Sequence, residues 1–239
     1  YLVIFSAMNI VGDPGVAKEV IVVVGGIKFK KGIPGNCHLQ HLTVRQAKGA
    51  GVFGCSSFTM DDVLVEQCGW SGVSAGGTGV VGRCTNVEVR QCGYSGVVAL
   101  NGASITLIGA KTTVHHNCTA GNSWDYGLQV HGSSSSTIQL VSLLTKEQVS
   151  LDNGGGGNWG ASGYGADVNQ IKSIAATNFS VPCGETKSNH ASSTRRDDLS
   201  RLPDHVFTAK VVPFFGFKDY ALASCAAQYL QAHWTAANQ

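Results

Sequence analysis

Apolar and polar positions fall into one nine-residue frame three times: Val44-Arg-Gln-Ala-Lys-Gly-Ala-Gly-Val52, Val65-Glu-Gln-Cys-Gly-Trp-Ser-Gly-Val73 and Val89-Arg-Gln-Cys-Gly-Tyr-Ser-Gly-Val97. The frames begin 21 and then 24 residues apart, and Val114 in Thr113-Val-His-His-Asn117 continues the series 25 residues later. Repeats of this length mark a solenoid, whose units bury their apolar faces only by stacking. The aligned valines are the expected core. In the strand before the first frame, alternation turns Leu42 and Val44 inward and His41 and Thr43 outward. The position after each valine holds Arg45, Glu66, Arg90 and His115, which sets opposite charges side by side on adjacent coils.

Further frame positions extend the pattern. Gln46, Gln67 and Gln91 form a row that His116 continues, and a vertical row of amides can hydrogen-bond along a stack. Gly51, Gly72 and Gly96, with Gly127 in the same slot, imply a backbone angle that other residues resist. Trp70 and Tyr94 align one coil apart, as a surface ring stack or a platform for a sugar. Cys68 and Cys92 align too, as stacked buried thiols or as a disulfide across coils. Before the frames, Val22–Val24 and Ile27–Phe29 read as a strand pair turning at Gly25-Gly26. The glycine-rich run 154–165 breaks the rhythm and reads as a loop, and Val168 to Ile174 as one more coil.

Short Val/Ile strands, glycine turns and an inward amide row over residues 3 to about 175 resemble the pectin-lyase-like superfamily of right-handed parallel β-helix proteins. The resemblance implies an all-β, single-stranded, right-handed parallel β-helix over residues 1–182. That superfamily holds lyases, hydrolases, epimerases, adhesins and proteins without known catalysis, so it leaves activity open. Residues 183–239 read as a C-terminal appendage: a polar, charged loop, then an amphipathic helix from Lys218 to Trp234 with Leu222, Cys225, Ala226, Tyr229, Leu230 and Trp234 on one face.

Candidate chemistry gathers where the frame is broken. Earlier coils take eight residues from the core valine to the next strand, whereas Val114 to Leu128 takes fourteen. The inserted loop would bring Trp124, Asp125 and Tyr126 near His115, His116 and His131. Asp125-Tyr-Gly-Leu-Gln-Val-His131 is similar to the Tyr-Gly-Phe-Asp-Pro-His signature of mannuronan C5-epimerases: Tyr126, Gly127 and His131 match, while Gln129 replaces the family's Asp and Val130 its Pro. The likeness implies Tyr126 and His131 as base and acid, with His115, His116, Trp124, Asp125, Gln129, Trp70 and Tyr94 as substrate contacts. Proton removal beside a carboxylate also needs a cation on that carboxylate, and no Arg or Lys stands nearby in sequence.

Composition narrows the classes. Charged residues make up 13% of the chain, against about 25% in ordinary soluble domains. A net charge of +2 with no basic stripe excludes nucleic acid as the expected partner. The longest apolar run, Val20 to Val24 with Gly25-Gly26-Ile27, is far short of the ~20 residues of a membrane helix. Eight cysteines without a Cys-x-x-Cys pair, and histidine pairs that alternate in direction, predict no metal site; no nucleotide loop or other cofactor motif is present. Opening on Tyr1 reads as a mature chain or one whose start is missing. The sequons Asn117-Cys-Thr119 and Asn178-Phe-Ser180 fit a glycoprotein that is secreted or enters an organelle lumen.

The leading expectation is a non-catalytic scaffold or recognition module that binds a polysaccharide or a protein partner. The rivals are an epimerase or lyase acting on an acidic polysaccharide, and a structural subunit of a larger complex docking through the Lys218–Trp234 helix.

Overall fold

A computed structural model describes residues 1–141 and 143–175; the expected appendage at 183–239 and the sequon at Asn178 lie outside the described residues. Among the described residues every strand pairing is parallel, and two sheets result. The front sheet stacks seven strands: Leu2–Ile4, Ile27–Phe29, Val52–Gly54, Val73–Gly76, Val97–Leu100, Leu128–His131 and Trp159–Ser162. The back sheet has eleven strands in two columns, joined where Cys37–Arg45 and Phe58–Glu66 run through both. One column leads to Val81–Thr85, Ser104–Ile108, Thr137–Val141 and Ile171–Ile174; the other leads to Glu88–Arg90, Thr113–His115 and Ser150–Leu151. This is a β-solenoid.

The repeat sets the register. Val44 pairs with Val65, Val65 with Val89 and Val89 with Val114, and all four are fully buried. Beside them Glu66, 6% exposed, lies between Arg45 at 3.3 Å and Arg90 at 2.8 Å, so the alternating charges meet as expected. Thr43 does face away from the core, yet it is buried because its hydroxyl donates to the carbonyl of Lys18, in the segment crossing over it.

The corners differ from expectation in three ways. Gln46, Gln67 and Gln91 are exposed, with φ of 55°, 54° and 56°, and Gln67 donates to Gln91 at 3.4 Å. The amide row exists, but outside: a left-handed residue swings the chain round, and the next position points in. That inner row is Ala47, Cys68, Cys92 and Asn117, the cysteines being free thiols. Secondly, Gly51, Gly72, Gly96 and Gly127 have no positive φ. They lack room instead: a Cβ on Gly72 would lie 2.2 Å from Val89 Cγ1 and 2.8 Å from the carbonyl oxygen of Gly96. Thirdly, Gly25-Gly26 joins no hairpin; Val22–Val24 and Ile27–Phe29 belong to different sheets.

The amide ladder that does face inward was missed in the sequence. Asn117, 1% exposed, accepts from the Cys92 amide and donates to the carbonyls of Val89 and His115. Asn153, one storey on, accepts from the Asn117 backbone and donates to the Val114 carbonyl. With every polar atom of its amide engaged inside the stack, Asn117 offers no acceptor for a glycan in the folded protein.

Candidate functional site: an aromatic groove on the front sheet

Outward-facing residues of the front sheet form a vertical row, Lys28, Phe53, Ser74, Val98, Gln129 and Gly160, fixed by register. A second row, Gly76, Leu100, His131 and Ser162, runs parallel two residues along. Phe53, Ser74, Val98 and Gln129 of the first row and Leu100, His131 and Ser162 of the second floor a groove of about 290 Å³ whose wall is built at the corner by Tyr1, Trp70, Tyr94 and Trp124.

The wall follows from the frame. Trp70 and Tyr94 stand one storey apart with ring planes within 6° and centroids 6.3 Å apart, 57% and 37% exposed. In the coil before them Gly49 takes that frame position, and the Tyr1 side chain lies over it, its hydroxyl accepting from the Ala50 amide at 2.7 Å. Trp124, 62% exposed, comes from the inserted loop. That loop is tied to the coil before it by the amides of Cys118, Thr119 and Ala120, which donate to the carbonyls of Tyr94, Cys92 and Gly93.

Beneath the wall runs a polar chain. Ser95 donates to Gln129 Oε1, and Gln129 Nε2 donates to the carbonyl of Trp124 at 2.9 Å and to Ser162 Oγ at 2.5 Å. Ser162 Oγ lies 2.8 Å from His131 Nδ1. Asp125, 8% exposed, accepts from Asn122 at 3.1 Å and has Ser95 Oγ 3.4 Å away.

Six of the nine expected site residues line this groove: Trp70, Tyr94, Trp124, Asp125, Gln129 and His131. Tyr126 does not. Its ring lies over the strand Trp159–Ser162, where a Cβ on Gly160 would come within 2.4 Å of it. This explains Gly156 and Gly160 in the glycine-rich run, which contains a strand rather than only the expected loop. His115 and His116 are also elsewhere, on the back sheet and its corner, with their Nδ1 atoms 2.8 Å apart and His115 Nε2 3.3 Å from Glu88. Ser95 and Ser162 are not marked by the sequence: Ser95 reads as one more frame position, Ser162 as part of a glycine-rich loop, and only the bond from Ser95 to Gln129 and the register of His131 on Ser162 bring them into play.

Among the described residues no cluster of three or more His, Cys, Asp or Glu could hold a metal ion, and no helix is long and apolar enough to cross a membrane. Comparison with family models, curated proteins and solved structures finds no match to this chain.

Proposed function

We propose that this β-solenoid is a recognition module that binds a neutral glycan in the front-sheet groove. The observation that carries the reading is the exposed wall of Trp70, Tyr94 and Trp124 above a floor holding Ser74, Gln129, His131 and Ser162. A pyranose presents an apolar C–H face and a rim of hydroxyls, so it needs flat aromatic surface beside donors and acceptors. The likeness to pectin-lyase-like proteins, many of which handle polysaccharides, supports the same reading by analogy alone.

Action on an acidic polysaccharide is supported less well. His131 and Asp125 share the groove, but Tyr126 is turned onto Gly160, and no Lys or Arg is among the groove's lining residues. Lys28 stands over the Phe53 ring at 5.2 Å, four storeys from Gln129, which at ~4.8 Å per storey is about 19 Å away.

Titration calorimetry against neutral and uronic oligosaccharides tests the proposal. Neutral chains should bind, and Trp70→Ala or Tyr94→Ala should each weaken binding about two- to twelve-fold, the worth of one aromatic contact. Absence of binding across the panel, or undiminished affinity in both variants, would refute it; preference for uronans, with unsaturated products, would favour the lyase.

A further inference from the structure

We infer that Ser162 and His131 form an acyl-transfer pair that hydrolyses an ester on a bound carbohydrate. The ester chemistry stands on the geometry of the pair; the carbohydrate as its carrier rests on the glycan reading above.

Hydrogen-bond directions orient Gln129. The Trp124 carbonyl can only accept, so the Gln129 atom 2.9 Å from it is the amide nitrogen. The same nitrogen donates to Ser162 Oγ at 2.5 Å, while Gln129 Oε1 accepts from Ser95. Ser162 Oγ also lies 2.8 Å from His131 Nδ1, and when the imidazole lone pair is on Nδ1 it is the serine that donates there. That tautomer, with the His131 proton on Nε2, is the one acyl transfer requires. A serine whose hydroxyl donates to a neutral imidazole is a nucleophile with its base in place.

The surroundings support the pairing. His131 and Ser162 are direct register partners on adjacent parallel strands and both line the groove, so the sheet itself sets their separation. The His131 ring packs against Gly163, where a Cβ would lie 3.1 Å from its Cε1. Leu100 and Val98, one storey away from His131 and Gln129, supply apolar floor for a short acyl chain such as acetyl.

Ser162 Oγ bonds to the ester carbonyl carbon as its proton passes to His131 Nδ1, and the Gln129 amide hydrogen turns from Ser162 Oγ to the developing oxyanion. The bond from that carbon to the sugar oxygen breaks, and the sugar oxygen takes the proton from His131. Water then attacks the acyl-serine, giving one proton to His131, which returns it to Ser162 Oγ. The products are the sugar alcohol and a carboxylic acid; nothing is oxidised or reduced.

The test uses the full chain with a fluorophosphonate probe, 4-nitrophenyl acetate and O-acetylated xylo-oligosaccharides. Mass spectrometry should place the phosphonate on Ser162, and acetate release should fall at least about 100-fold in Ser162→Ala and in His131→Gln, the usual worth of a positioned base. No adduct and no acetate release from the folded wild type would overturn the inference, as would full activity in Ser162→Ala with unchanged circular dichroism. Labelling of Ser162 and cleavage of 4-nitrophenyl acetate, with no glycan bound in calorimetry, would uphold the pair and refute the carbohydrate carrier.

Discussion

Substituting Gly72 by alanine should destabilise the solenoid although its φ suits any residue. The new methyl would lie 2.2 Å from Val89 Cγ1, 2.8 Å from the Gly96 carbonyl oxygen and 3.2 Å from Cys92 Sγ. Ordinary contact begins near 3.4 Å. The valine cannot retreat, being fully buried, and the Gly96 oxygen accepts the Val73 amide at 2.9 Å. Overpacking of a rigid interior costs about 1–3 kcal/mol, and a clash involving backbone oxygen places Gly72→Ala near the top of that range. A double-mutant cycle with Val89 isolates the steric contribution. Removing the methyls in Val89→Ala should lower the cost of Gly72→Ala by about 1 kcal/mol, because one of the three clashes disappears. Urea unfolding of the four proteins, followed by circular dichroism, measures both quantities. A cost below about 0.5 kcal/mol, or strict additivity with Val89→Ala, would refute the view that these glycines are selected by space.

Asn117→Ala should cost about 2–4 kcal/mol in the same assay, because the Cys92 amide and the Val89 carbonyl lose buried partners at once; a change under about 1 kcal/mol would mean the ladder is redundant. Glu66→Ala should cost about 1–2 kcal/mol, less than for a deeply buried pair, since its arginine partners are 30% and 35% exposed and can rehydrate. If stability is unchanged, the charge alternation is only surface decoration. His41 is held above its ordinary 6.5 by donating to the Val16 carbonyl and then to Asp62. Burial pulls Asp62 up, but hydrogen bonds from Lys18 and His41 outweigh it and leave it below 3.8. The raised histidine stabilises below its unfolded value and loses that contribution as pH climbs through its folded one, while the depressed aspartate loses its share as pH falls through its own. The stability gap between wild type and Asp62→Asn should therefore be widest between about pH 4 and 6.5 and narrow on both sides; urea midpoints showing a constant gap from acid to alkali would exclude the linkage. Cys84, pushed up to about 12 by burial, should resist thiol reagents in the native protein at pH 8 and react only on unfolding.

Three features were legible from residue order alone. Val44, Val65, Val89 and Val114 recur at coil length, and stacking turns recurrence along the chain into vertical neighbourhood, so the parallel registers, the Arg45–Glu66–Arg90 alternation and the Trp70–Tyr94 stack could all be read in advance. The corners could not. A left-handed φ at Gln67 decides that glutamine faces solvent and Cys68 the core, and that angle is a property of the folded corner, with no mark in the pattern of side chains. Nor could the glycines be told apart, since a residue without a Cβ serves a strained angle and a crowded approach equally well, and only the position of Val89 against Gly72 separates the two.

The groove shows the same division more strongly. The sequence marked Trp124 to His131 as unusual because a local insertion breaks a local period. Only the tertiary structure turned Tyr126 away onto Gly160, carried His115 and His116 to another face, and set Ser95 and Ser162 against Gln129. Those partners stand 34 and 33 residues from Gln129 in sequence. In a solenoid the frame decides which storey a residue occupies, whereas the winding of the backbone at each corner decides which face its side chain meets.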